Sequence, residues 1–261
     1  MTNESLLLIG RNAPNARDVY ETHADRLASR AGVGDVHVAT YDTEPVRELR
    51  ETFAEIDGER VYAVPLTAAH TFETTDGVPA ALSYVPGEVR YCEPVGRSPA
   101  VTDALAQRAA DAARAGDDAS LVLVGFGSSS RPYQRQTAEY HAARLSDRSE
   151  YGEVLTCYLL QNPAVECVRY NTSTRRTVAV PLFLTECEAT EEEIPAKLEL
   201  DRGGIEYADP LGDHARVTDA IHAEVERQRV LATGGDAAAS FETELVRNQR
   251  PVATDGEGVR Q

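Results

Sequence analysis

The chain has 261 residues, 42% of them hydrophobic, which is enough for one large domain or two of roughly 110 to 130 residues with a buried core. Its 26 basic and 43 acidic residues give a net charge of −17, and the basic set holds a single lysine, Lys197. This balance excludes a general nucleic-acid-binding surface, and with no apolar run approaching 18 residues a membrane partner is not expected. An excess of carboxylates spread along the whole chain with almost no lysine resembles the bias of a salt-loving cytoplasm. At molar salt the Debye length is about 3 Å, so repulsion between surface carboxylates costs little there.

The first apolar run, Leu6–Ile9, has no basic flank before it and no small-residue cleavage site after it, so it reads as a strand of a cytoplasmic protein and not as a secretory signal. Gly10 ends it, and a helical pattern over Arg17–Ser29 follows, closed by Gly32. Next come a strand at Val36–Tyr41, a helix over Pro45–Ile56 with proline in its first turn, and a strand at Arg60–Leu66. A long loop leads to a strand at Glu88–Cys92. A helix over Ala100–Ala115 then sets Val101, Leu105, Ala109 and Ala112 on one face. The same order returns with strands at Leu121–Val124, Val154–Leu159, Thr177–Leu184 and Gly204–Ala208. A last helix carries Val217, Ile221 and Val225 in the register of Val101, Leu105 and Ala109. From about Leu231 the composition turns to Gly, Ala, Asp and Thr, and residues 231–261 are expected to be a poorly ordered tail.

The return is a repeat in sequence as well as in pattern. Tyr91-Cys-Glu-Pro-Val-Gly96 matches Tyr207-Ala-Asp-Pro-Leu-Gly212, 116 residues further on. The same shift pairs Val64-Pro65-Leu66 with Val180-Pro181-Leu182, and Val101-Thr-Asp-Ala-Leu105 with Val217-Thr-Asp-Ala-Ile221. Strands alternating with helices demand parallel strands joined by crossovers. The expected fold is therefore α/β: two tandem doubly wound lobes, residues 1–116 and 117–230, each with a four-stranded parallel sheet flanked by helices.

In open parallel sheets, ligands bind beyond the carboxyl ends of the strands. After the second copy's first strand, Gly125-Phe-Gly-Ser-Ser-Ser-Arg131 offers Gly127, Ser128 and exposed backbone N–H groups as an anion cradle; a tight turn with capping serines fits the same residues. It lacks the lysine and spacing of a P-loop and the glycine spacing of a dinucleotide site. In the first copy's long loop, His70, Glu73 and Asp76 fall at i, i+3 and i+6, so that His70 and Glu73 would share one face of a helical turn and one metal ion; simple solvation in a polar loop is the alternative. Cys92, Cys157, Cys167 and Cys187 form no paired ligand set.

A strand ending in glycine, then Val-Pro-Leu, a long loop, Ile-Pro-Ala, Tyr-x-x-Pro-Leu-Gly and a final helix together resemble the class II tetrapyrrole chelatases. The sirohydrochlorin chelatases of the CbiX/SirB type are the nearest pattern. The residues concerned are Leu121–Ser128, Val180–Leu184, Glu193–Lys197 and Tyr207–Gly212, with echoes at Leu6–Gly10, Val64–Leu66 and Tyr91–Gly96. The resemblance spans residues 5 to 228. It implies an enzyme that inserts a divalent ion (cobalt, nickel or ferrous iron) as substrate into a sirohydrochlorin-like tetrapyrrole in cobalamin or siroheme biosynthesis. No tightly bound cofactor is implied, and other enzymes of the tetrapyrrole pathway are candidate partners. Duplication within one chain takes the place of a dimer of single copies, which favours a monomer.

The family's metal-handling residues are a histidine after the first strand's glycine, a glutamate ending the second strand and a histidine in the long loop. These positions fall on Arg11, Asp42 and Glu73 in the first copy and on Phe126, Leu160 and Ala189 in the second. The resemblance thus implies Asp42, His70 and Glu73 as the metal set, with His70 and Glu73 catalytic. Arg11, Phe126, Gly127, Ser128, Arg131 and Arg135 would then take the macrocycle, Phe126 by stacking on its face and the arginines by pairing with its carboxylates. The alternative, drawn from the missing histidines, is a non-catalytic paralogue that binds a tetrapyrrole or metal.

Overall fold

The structure is a computed structural model that describes residues 3–233 apart from 31 and 33. Residues Met1–Val225 form one compact unit and Glu226–Gln261 a second; of the expected tail, residues 234–261 lie outside the described residues.

All eight expected strands form. The first copy contributes β1 (Glu4–Arg11), α1 (Ala16–Ala28), β2 (Asp35–Tyr41), α2 (Pro45–Glu48), α3 (Arg50–Ala54), β3 (Arg60–Pro65), α4 (Val78–Ala81), β4 (Glu88–Tyr91) and α5 (Pro99–Ala112). The second contributes β5 (Ala119–Gly125), α6 (Tyr133–Arg148), β6 (Glu153–Tyr158), α7 (Val168–Asn171), β7 (Arg176–Pro181), α8 (Ile194–Leu198), β8 (Ile205–Tyr207) and α9 (Ala215–Thr233). Each copy builds a four-stranded, all-parallel sheet, in the orders β2-β1-β3-β4 and β6-β5-β7-β8. No helix among the described residues is long and apolar enough to cross a membrane.

The central strands are apolar on both faces, as parallel strands covered on both sides must be. Alternation divides the faces between different cores. Leu6, Leu8, Tyr62 and Val64 join Leu121, Leu123, Val178 and Val180 in one cluster, which also takes in Leu27, Leu105, Leu145 and Ile221 from the helices. Leu7, Ile9 and Ala63 instead pack outward on Leu49, Phe53 and Val78, and Val122, Val124 and Ala179 on Val165, Val168 and Ile194. The two copies thus share their innermost core.

One expected element breaks. The helix over Pro45–Ile56 divides at Leu49 into α2 and α3. Glu48, the last residue of α2, folds its carboxylate back to accept the backbone N–H groups of Asp42 (2.6 Å), Thr43 (3.0 Å) and Glu44 (2.6 Å). These three hydrogen bonds hold its carboxyl below the ordinary glutamate value.

Candidate functional site

The carboxyl ends of β1 to β4 form one rim and those of β5 to β8 another. Strand register fixes which residues correspond: Gly10 lies opposite Thr40 and Gly125 opposite Tyr158, so Asp42 and Leu160 each follow two residues beyond equivalent pairs. Arg11 and Phe126 likewise each follow the strand glycine.

On the first rim, Thr71 and Thr74 cap one another: the Thr71 N–H donates to Thr74 Oγ1 at 2.8 Å and the Thr74 N–H to Thr71 Oγ1 at 3.3 Å. That reciprocal cap starts a single π-helical turn at Glu73–Gly77, a form concentrated at functional sites. The second copy repeats the turn at Ala189–Glu193, and the Tyr91 and Tyr207 hydroxyls donate to the carbonyls of Thr74 and Thr190 at 2.7 and 3.0 Å.

The cap also overturns one expectation. His70 lies before the helical turn and not on it, so His70 and Glu73 do not share a helix face. His70 Nε2 meets Glu93 Oε2 at 2.9 Å, its Nδ1 is 3.3 Å from Thr74 Oγ1, and the Tyr133 ring of the second copy approaches edge-on at 5.5 Å. The Glu93 N–H is held by Glu224 Oε1 at 2.9 Å. Glu73 stands nearer Tyr41, whose hydroxyl is pushed up to about 12, first by burial and then by the Glu73 charge. Arg11 faces the same tyrosine, is exposed, and forms no ion pair among the described residues.

Asp42 does not join this group. It follows β2 at one edge of the sheet, whereas Glu93 follows β4 at the other, strands that stand three inter-strand spacings, about 14 Å, apart. Among the described residues, no three His, Cys, Asp or Glu side chains are gathered to hold a metal ion, so Asp42, His70 and Glu73 are not a preassembled ligand set. The four cysteines are free thiols.

At the positions equivalent to Arg11 and Asp42 the second rim is apolar. Phe126 is 39% exposed, Leu160 57%, and Phe126 meets Phe183 edge-to-face at 6.4 Å. The turn behind Phe126 is closed on itself: Ser128 Oγ accepts the N–H groups of Ser130 (3.3 Å) and Arg131 (3.2 Å), and the Ser128 N–H donates to Gln161 Oε1 at 3.3 Å. Gly127 takes φ +81° with Tyr158 Cβ and Gln161 Cγ beside it, where a side chain has no room. Ser128 Oγ and Gln161 thus engage three of its N–H groups, as in a capped strand-to-helix turn. The arginines are engaged too. Arg131 donates to Thr75 and lies 5.3 Å over the Phe72 ring of the first copy, and Arg135 pairs with Glu139 at 2.8 Å on the surface of α6. Sequence reasoning did not single out Tyr41, Glu93 or Tyr133. Glu93 carried a signal, since the repeat places an acid, Asp209, at its equivalent position.

A model of the CbiX family matches residues 5–112 and, a second time, residues 120–228. The chain belongs to the CbiX family. The two matches to the CbiX model coincide with the two copies of the repeat, and the resemblance drawn from the motifs is borne out. A probable sirohydrochlorin cobaltochelatase of Halobacterium salinarum is 25% identical over 222 residues, spanning 74% of this chain and 75% of that protein. SirB from Bacillus subtilis, solved with Fe3+, is similar with a TM-score of 0.73 at 19% identity over 89% of this chain and 98% of SirB. A multi-domain Deinococcus radiodurans protein with structural similarity to chelatases gives 0.69 at 22% identity over 86% of this CbiX-family chain. This chain spans 55% of that protein's length. The solved relatives share the expected two-lobed α/β fold.

Proposed function

We propose that this protein is a sirohydrochlorin chelatase in which the two copies of the repeat have divided the work. The first rim supplies ion- and proton-handling groups, and the second supplies an apolar seat for the macrocycle. The observation that carries this reading is the contrast at equivalent positions: Arg11 against Phe126, Asp42 against Leu160, and Glu73 against Ala189.

Inserting a divalent ion into a tetrapyrrole releases two pyrrole protons and needs a base, a place to hold and release the ion, and cations for the peripheral carboxylates. His70 and Glu73 are the candidate bases. Arg11 is the candidate partner for a macrocycle carboxylate, because it is exposed and pairs with no carboxylate among the described residues. Phe126, Phe183 and Leu160 offer a surface on which a ring face can stack. Cobalt is the first ion to try, in view of the Halobacterium relative's name.

The test is the anaerobic absorbance of sirohydrochlorin with Co2+, Ni2+ or Fe2+ in molar potassium chloride, with and without protein. Multiple turnovers faster than the metal-only control are expected, with His70→Ala abolishing them while leaving the protein folded. A second reading, a tetrapyrrole-binding relative without turnover, draws on the lack of three gathered metal ligands among the described residues. It predicts a bound-macrocycle spectrum and no acceleration.

A further inference from the structure

We propose that Glu93 and His70 form the landing site for the incoming divalent ion, through the Glu93 carboxylate and His70 Nε2. The site's purpose rests on the chelatase reading; its existence does not.

The separation of 2.9 Å between His70 Nε2 and Glu93 Oε2 is close to that of two neighbouring donors on one ion. Donors at about 2.0 to 2.2 Å from a first-row divalent ion stand roughly 3 to 3.4 Å apart. The ion would enter between the two groups with small adjustment.

Hydrogen bonding selects the nitrogen. Thr74 is buried, and its Oγ1 accepts the Thr71 N–H at 2.8 Å while its own O–H faces the Thr71 carbonyl at 3.4 Å. Its remaining acceptor site meets His70 Nδ1. Nδ1 therefore keeps its proton, which leaves the Nε2 lone pair for the ion.

Both partners are also held in place. The edge-on Tyr133 ring borders the imidazole, and Glu224 fixes the Glu93 backbone. The Glu93 side chain is 65% exposed, so the ion can arrive from solvent. Two protein donors leave the rest of the coordination sphere to water. That suits an ion that must be passed on and not stored.

Co2+ alone, titrated calorimetrically into the full-length protein without tetrapyrrole, tests this. Glu93→Gln and His70→Ala are each expected to weaken Co2+ binding roughly ten- to hundredfold, whereas Glu139→Gln on the surface of α6 leaves it unchanged. In the proton spectrum of the Co2+ form, one exchangeable, strongly shifted ring N–H is expected, belonging to Nδ1 and missing in His70→Ala. Unchanged melting of Glu93→Gln establishes that its fold is intact. Absence of Co2+ binding by the wild type, or wild-type binding by Glu93→Gln, would overturn the proposal. Co2+ held at this pair with no metallation of sirohydrochlorin would support it and sink the chelatase reading instead.

Discussion

His23 and Thr218, 195 residues apart in the chain, meet at 2.8 Å between Nδ1 and Oγ1, and His141 makes the same contact with Thr102, also at 2.8 Å. The other ring nitrogen of each histidine donates to the carbonyl of a motif glycine, Gly212 and Gly96 respectively. The first helix of each copy is thereby tied to the last helix of the other. The two ties are related by the repeat.

These ties make the protein sensitive to acid. Burial, partly offset by the bonds to Gly212 and Gly96, brings both histidines down from 6.5 to about 4. As pH falls below 6.5 the unfolded chain takes up protons that the folded chain refuses. The stability present in full above 6.5 is therefore lost progressively down to about pH 4, by roughly 3 kcal/mol per histidine. Urea unfolding across that range should show the loss, and His23→Gln with His141→Gln should flatten it. An unflattened profile would place the sensitivity elsewhere.

Equivalent motif glycines should respond unequally to alanine. A Cβ on Gly96 would fall 1.6 Å from the Ala68 carbonyl oxygen, and backbone cannot swing away. Gly212 has φ +54° and no neighbour closer to its Cβ position than 3.3 Å, so only the left-handed conformation is penalised there. Gly96→Ala should cost about 3 kcal/mol and Gly212→Ala about 1 kcal/mol in equilibrium unfolding. Equal losses would contradict the packing described at Gly96.

The strands, their parallel pairing and the duplication were legible because apolar runs such as Leu6–Ile9 and Leu121–Val124 recur in one order with one shift. Which faces meet was not. Leu6, Leu7, Leu8 and Ile9 are all apolar, so nothing in their sequence tells the face of the shared core from the outer face. The pairing of His70 with Glu93 was hidden for a different reason. It depends on β4 lying beside β3 and on a threonine cap that starts the helical turn after His70 and not before it. The break at Leu49 depends on where the Glu48 carboxylate goes, which helix periodicity does not report.

The apolar seat at Phe126 should matter chiefly for the macrocycle. Phe126 is partly exposed and outside the three core clusters, so Phe126→Ala should cost only about 1 kcal/mol, chiefly its edge-to-face contact with Phe183. Loss of one stacking ring should weaken the binding of metal-free sirohydrochlorin about tenfold, read by absorbance titration, without changing Co2+ affinity. An unaltered dissociation constant would remove Phe126 from the seat.

Salt should help. A surface of net charge −17 repels both itself and a polyanionic tetrapyrrole, and raising potassium chloride from 0.1 to 1 M shortens the Debye length from about 10 to about 3 Å. Exposed pairs such as Arg17–Glu21 and Arg135–Glu139 contribute little and weaken only slightly in comparison. The melting temperature and the rate of sirohydrochlorin association should both rise over that interval. A fall in either would show that attraction, not repulsion, dominates.

The core that joins Leu6 and Leu8 to Leu121 and Leu123 has an evolutionary meaning. Two identical chains packed in this way would carry every rim residue twice, so a phenylalanine suited to one side would displace an arginine needed on the other. Joining the copies in one chain lifts that constraint. Arg11 and Phe126 can then differ at equivalent positions, and each half is free to lose what the other retains.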